Sequence, residues 1–172
     1  GVISEGRENI IIENCDIQSF SNGILFDSTD NSLIQNNKLS NNNLGIRMKS
    51  VSSENVVSSN IIKNNFGGII LTDSSDNLIY NNMFENNANA LDFGENSWNI
   101  TKTFTDDKNI IGGKFLGGNF WNDYDGEDLD KDGIGDTNLP YNASGDIKTG
   151  GDHLPLVRPP LSDRLDKSVI KA

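Results

Sequence analysis

Apolar residues fall along this chain in short bursts, and polar turn formers separate them. Ile10-Ile-Ile12, Ile24-Leu-Phe26, Leu33-Ile34, Ile46-Arg-Met48, Val56-Val57, Ile61-Ile62, Ile69-Ile-Leu71 and Leu78-Ile79 are each preceded by Asn, Gly or Ser. Bursts this short with period-2 alternation predict strands, because successive side chains of a strand point to opposite faces. No stretch of ten or more residues between them carries a 3.6 period, which excludes leucine-rich and ankyrin-type helical repeats.

The bursts recur at a nearly fixed interval. Asn stands at 9, 31, 55, 77 and 99, in steps of 22, 24, 22 and 22. After it run Asn9-Ile-Ile-Ile-Glu-Asn14, Asn31-Ser-Leu-Ile-Gln-Asn36, Asn55-Val-Val-Ser-Ser-Asn60 and Asn77-Leu-Ile-Tyr-Asn-Asn82. A second mark follows in each unit: Gly23-Ile-Leu-Phe26, Gly45-Ile-Arg-Met48, Gly68-Ile-Ile-Leu71 and Ala90-Leu-Asp-Phe93. Units of strands and turns alone wind into a parallel β-helix, with equivalent residues stacked about 4.8 Å apart. The expected fold is therefore all-β, a parallel β-helix of about four to five coils of 22–24 residues. Asn9, Asn31, Asn55 and Asn77 are its expected structural column, since Asn tolerates left-handed backbone and its amides can bond along a stack. Residues 1–95 are assigned to coils, 96–157 to a Gly- and aromatic-rich C-terminal cap, and 158–172 to a tail or linker. Gly1-Val-Ile-Ser4 precedes Asn9 as Gly23 precedes Asn31, so the chain opens in mid-coil. A fragment or processed chain is expected, with neighbouring copies covering its open end.

Composition narrows the functions. There are 26 Asn in 172 residues, and 25 acids against 14 bases give a net charge of −11. Nucleic acid and anionic membranes call for a basic face, so both are excluded as partners. No apolar run reaches the length of a membrane span. A single Cys allows no internal disulfide.

The coils resemble the right-handed parallel β-helix repeats of carbohydrate-binding and sugar-hydrolase (CASH) domains. The stretch Asn109-Ile-Ile-Gly-Gly-Lys-Phe-Leu-Gly-Gly-Asn119-Phe-Trp121-Asn-Asp-Tyr124 is more specific. With Leu139-Pro-Tyr-Asn-Ala-Ser144 and Gly150-Gly-Asp-His-Leu-Pro-Leu156, it resembles the C-terminal end of NosD-like surface β-helix proteins. That resemblance implies an extracellular or cell-surface location, with surface glycans as partners. It also carries an association with copper maturation in the periplasm. Copper needs clustered His, Met or Cys, whereas His153, Cys15, Met48 and Met83 are spread along the chain, so the copper reading is disfavoured.

The acids are concentrated late. Asp128-Leu-Asp130-Lys-Asp132-Gly133-Ile134-Gly-Asp136 places carboxylates at loop positions 1, 3, 5 and 9, with Gly at 6. That spacing wraps a hard cation in oxygens, the Ile134 carbonyl included. It is similar to the calcium loops of thrombospondin type 3 repeats. Leu139 stands where a closing acid belongs, so Asp123, Asp125, Asp152 or water must complete the shell. Ca²⁺ is the expected cofactor. Asn99-Ile-Thr101 and Asn142-Ala-Ser144 are glycosylation sequons that fit export. No catalytic residues are assigned. An outward column read as Leu25, Arg47, Ile70 and Asp92, flanked by Asp27, Lys49 and Thr72, keeps a polysaccharide lyase or epimerase as the alternative. Trp98, Phe115, Phe120, Trp121 and Tyr124 are the expected plug of the core.

Overall fold

The computed structural model describes residues 1–158, so residues 159–172 of the expected tail lie outside the described residues. The chain winds about four right-handed turns of a parallel β-solenoid with three strands per coil. The first coil holds β1 (Val2–Glu8), β2 (Ile11–Glu13) and β3 (Asp16–Gln18), and the second β4 (Asn22–Asp30), β5 (Leu33–Gln35) and β6 (Lys38–Ser40). The third holds β7 (Leu44–Lys49), β8 (Val56–Ser58) and β9 (Ile61–Lys63). The fourth holds β10 (Gly67–Leu71), β11 (Leu78–Tyr80) and β12 (Met83–Glu85), after which β13 (Ala88–Asp92) begins the last coil. Stacking gives three parallel sheets, β1-β4-β7-β10-β13, β2-β5-β8-β11 and β3-β6-β9-β12-β16, where β16 is Phe120–Trp121.

Register makes the core a set of columns. Val2, Ile24, Ile46, Ile69 and Ala90 stack in the first sheet. Ile12, Ile34, Val57 and Ile79 stack in the second. Ile17, Leu39, Ile62, Phe84 and Trp121 stack in the third. Most of these side chains are fully buried, and their apolar area removed from water is the main force holding the coils together.

Apart from the jump from Phe84 to Trp121, the steps between stacked residues in these columns run from 21 to 23, not 22 to 24, and this corrects the expected asparagine column. Asn9 and Asn31 stack with Glu54 and Asp76, all four at φ between 50° and 58°. The buried ladder runs one residue later, through Ser32, Asn55, Asn77 and Asn96. The interval of 24 between Asn31 and Asn55 joined two different columns. The corners of the second and third coils, and some of those beyond, repeat this pair: a left-handed residue turns the chain, and the next side chain enters the ladder. Asn36-Asn37, Ser59-Asn60 and Asn81-Asn82 form the second corner, and Asn41-Asn42 and Asn64-Asn65 the third. Asn is suited to both tasks, which accounts for the Asn-Asn doublets.

The coil does not stop at residue 95. Ser97 bridges Leu78, the chain leaves at Asn99, and Phe120–Trp121 returns to pair with β12. The excursion carries a hairpin of β14 (Thr103–Phe104) and β15 (Phe115–Leu116), whose arm rests on the coils where Ile110 N–H meets Asn81 Oδ1 at 2.9 Å. The plug also differs from expectation. Trp121 stacks on Phe84, Tyr141 stacks on Trp121, Trp98 packs against Trp121 at a tilt, and Tyr124 meets Tyr141 edge-on. Phe115 instead packs on Phe104 in the hairpin, and Phe120 faces outward beneath Arg158.

Candidate functional site

Three of the four expected loop acids converge. Ligand oxygens of Asp128, Asp130 and Asp136 lie within 4.8 Å of one another. The loop is shaped by its own backbone: Gly133 N–H donates to Asp128 Oδ2 at 2.8 Å, Leu129 N–H to Asp136 Oδ2 at 2.7 Å, and Lys131 and Gly133 turn through positive φ. Asp132 departs from the group. One of its oxygens accepts Ile134 N–H, and the other pairs with Lys102, whose ammonium lies over the Phe115 ring. Ile134 is buried, with its side chain near Gly117, and Gly135 N–H donates to Pro155 O, which pins the loop to the cap. An oxygen-only, partly exposed set of this kind suits a hard divalent cation and not a soft one.

None of the three acids considered for closing the shell is in that group. Asp123 accepts Tyr141 O–H at 2.8 Å and Asn89 Nδ2, and Asp125 accepts Asn138 Nδ2 at 3.0 Å. Asp152 is fully buried and accepts Asn119 N–H, Trp121 Nε1–H and Leu154 N–H. Burial pushes its carboxyl up to about 7 against those donors. Each has a structural partner that spacing along the chain cannot reveal.

The outward column is also corrected. Ile3, Leu25, Arg47, Ile70 and Leu91 are stacked neighbours in the first sheet, so the fifth member is Leu91 and not Asp92. Asp92 stacks with Ser4, Phe26, Met48 and Leu71, pointing inward and fully buried. Ala90, taken as a counterpart of the glycines, stands where Ile24 and Ile46 stand. Beside that column Lys49 pairs with Asp27, whose carboxyl it holds below the usual range, and buried Arg47 Nε has no hydrogen-bond partner. Leu44, Phe66, Ile70 and Leu91 wall an apolar recess of about 170 Å³ on the same face.

The sequons are differently placed. Asn99 is half-buried and its Oδ1 accepts His153 N–H, whereas Asn142 is exposed at the start of a short 3₁₀ turn. The soft metal donors stay apart: Met48 is inside the core, Cys15 lies at a first-coil corner with its thiol on Glu13 O, Met83 is outward on β12, and His153 is exposed in the cap. Cys15 and Met83 are separated by three coils, about 14 Å of stacking. Lys102, Tyr141 and the inward Asp92 were not singled out in sequence. An acid that follows Phe26, Met48 and Leu71 in one column is the signal for Asp92, once the register is right.

Comparison with protein families matches residues 1–126 to the family described as "Periplasmic copper-binding protein (NosD)". No curated protein and no solved structure matches the chain.

Proposed function

The chain belongs to the NosD family, and from that premise we propose a structural β-helix module that works outside the cytoplasm, stabilised by calcium and free of catalysis of its own. The family is periplasmic by description, and among the described residues no helix is long and apolar enough to cross a membrane. The observation that carries the calcium reading is the convergence of Asp128, Asp130 and Asp136 on one small volume. Three carboxylates this close repel one another unless a cation or donors compensate. A divalent ion there would tie the loop into the cap through Ile134 and Gly135.

Copper does not fit the donors of residues 1–158. The thiol, imidazole and thioethers lie apart in the coils and the cap, and the acids that do converge are hard ligands, which supports calcium over copper. No step through copper is derived. Glycan contact is supported by the first sheet's outer face, where Arg47 stands among Leu25, Ile70 and Leu91. The same Arg47, with Lys49 and Asp27, favours the lyase or epimerase alternative, because a basic group can neutralise a uronate carboxylate.

Calorimetric titration of the full chain tests the metal. Calcium chloride is expected to give one site, and copper no stoichiometric complex. A copper site with no calcium heat would overturn the reading. Turnover of uronate polymers, abolished by Arg47→Ala, would replace it with the enzymatic alternative.

A further inference from the structure

All three ladders run in one sense. In each, the backbone N–H of one coil donates to the side-chain oxygen of the next, and the side-chain amide points the same way. The first runs from Ile10 N–H through Ser32, Asn55 and Asn77 to Asn96. The second runs from Cys15 N–H through Asn37, Asn60 and Asn82 to Asn119. The third runs from Phe20 N–H through Asn42, Asn65 and Asn86 to Asn89. Such a chain of aligned dipoles ends on a donor with no further rung to accept it, and a buried donor without an acceptor is costly.

Each ladder ends on a carboxylate. Asn96 Nδ2 donates to Asp92 Oδ1 at 2.8 Å, Asn119 N–H to Asp152 Oδ2 at 2.7 Å, and Asn89 Nδ2 to Asp123 Oδ1 at 2.6 Å, with Asn122 Oδ1 as its second acceptor at 2.7 Å. Each carboxylate also takes the polar edge of one plug aromatic. Asp92 accepts Trp98 Nε1–H at 3.0 Å, Asp152 accepts Trp121 Nε1–H at 2.8 Å, and Asp123 accepts Tyr141 O–H at 2.8 Å. The three rings meet at Trp121, which stacks against Tyr141 and packs at a tilt against Trp98. Among the described residues no ion pair reaches any of these acids. Asp92 and Asp152 are buried, while Asp123 sits at the rim.

We propose that Asp92, Asp123 and Asp152 form a three-point latch that terminates the amide ladders and couples each one to its own plug aromatic, so that the cap closes only on a last coil in correct register. The acids supply the acceptors that a further coil would supply, and the aromatics they orient cover the core. Asp152 also keeps its place by close fit, because a Cβ at Gly118 would lie 1.7 Å from its Oδ1.

Ladder-resolved hydrogen exchange on the full chain tests this. Asp92→Asn is expected to speed exchange at Asn55 and Asn77 N–H about tenfold while Asn60 and Asn82 stay within about twofold, and Asp152→Asn is expected to do the reverse. Tyr141→Phe keeps the ring and every charge, so it decides the matter if the Asp variants fail to fold. It is expected to speed Asn65 and Asn86 N–H about tenfold and leave the other two ladders unchanged. Equal acceleration in all three ladders, or none in the ladder a variant serves, overturns the latch.

Discussion

Trp121 and Asp152 meet inside the cap, the indole Nε1–H donating to carboxylate Oδ2 at 2.8 Å across 31 residues of chain. Asp152 is buried with no cation beside it, and its two further donors are backbone N–H groups of Asn119 and Leu154. The cap is therefore held by a carboxylate whose charge is stabilised by dipoles alone, which makes its closure sensitive to protons.

That sensitivity has a definite sign. Burial raises the Asp152 carboxyl from 3.8 to about 7, against the opposing pull of its donors. Between those values the folded chain holds a proton that the unfolded chain releases. Its contribution is thus fully present below about pH 4 and is lost as pH rises through 7. Asp92 is raised by burial too and acts in the same direction. Asp152→Asn is expected to melt at lower temperature and to lose most of this slope. Thermal melts in chelator from pH 4 to 8 check it, and parallel slopes for the variant and the parent would refute it.

The corner pairs predict a sharp contrast between two asparagines. Asn60 is fully buried and its Nδ2 donates to Ile34 O, Ser58 O and Asn82 Oδ1, while its Oδ1 accepts Asn37 N–H. Asn60→Ala strands several buried groups at about 1–3 kcal/mol each. At ~2–4 °C per kcal/mol, a loss of roughly 10 °C or more is expected. Asn31 is exposed at φ 50°, so Asn31→Gly is expected to shift the melting temperature by no more than about 2 °C. Equal effects would contradict the one-residue offset between the two columns.

The coils were legible because they are local and repeated: period-2 bursts and turn residues specify strand, corner and interval together. What escaped was register at the irregular places. The step of 23 from Ile46 to Ile69 and of 21 from Ile69 to Ala90 moved Asp92 from an outward to an inward column. The plug was half legible, since Trp98 and Trp121 were named from size alone, but Tyr141 arrives from a loop with no periodicity. The loop acids were read from spacing. Lys102, which takes Asp132 out of the group, lies 30 residues away on the hairpin, a contact that no local pattern encodes.

Glycine makes room for the third ladder. A Cβ on Gly45 would lie 2.6 Å from Gly68 O, 2.7 Å from Ile62 Cγ2 and 3.3 Å from Asn65 Nδ2. Two of these neighbours are a strand carbonyl and a core side chain, so neither can move aside without spreading the coils. Gly45→Ala is expected to cost about 2–3 kcal/mol and lower the melting point by roughly 5–10 °C. Gly6, at φ 60° with open space around it, serves as the control: Gly6→Ala carries only backbone strain of about 1 kcal/mol. Denaturant melts of the two variants separate crowding from strain.

The last prediction divides the loop acids. Asp130 and Asp136 belong to the convergent group, whereas Asp132 is committed to Lys102. A cation bound only by the folded chain adds about 2.7 kcal/mol at a hundredfold excess over Kd. Calcium should therefore raise the melting temperature by several degrees, at ~2–4 °C per kcal/mol. Asp130→Ala and Asp136→Ala are expected to abolish that rise, because each removes a charged ligand. Asp132→Ala is expected to keep it, losing the Lys102 pair, whose exposed ammonium makes it worth little, and the acceptor of Ile134 N–H, both of which lower the baseline equally with and without calcium. The shift should appear in the loop and the Ile134–Leu156 bridge, because coils depend mainly on their nearest neighbours. Melting curves of the four chains in calcium and in EGTA decide it. If Asp132→Ala alone loses the response, the ion takes Asp132 from Lys102 and the geometry of the convergent trio is not the bound one.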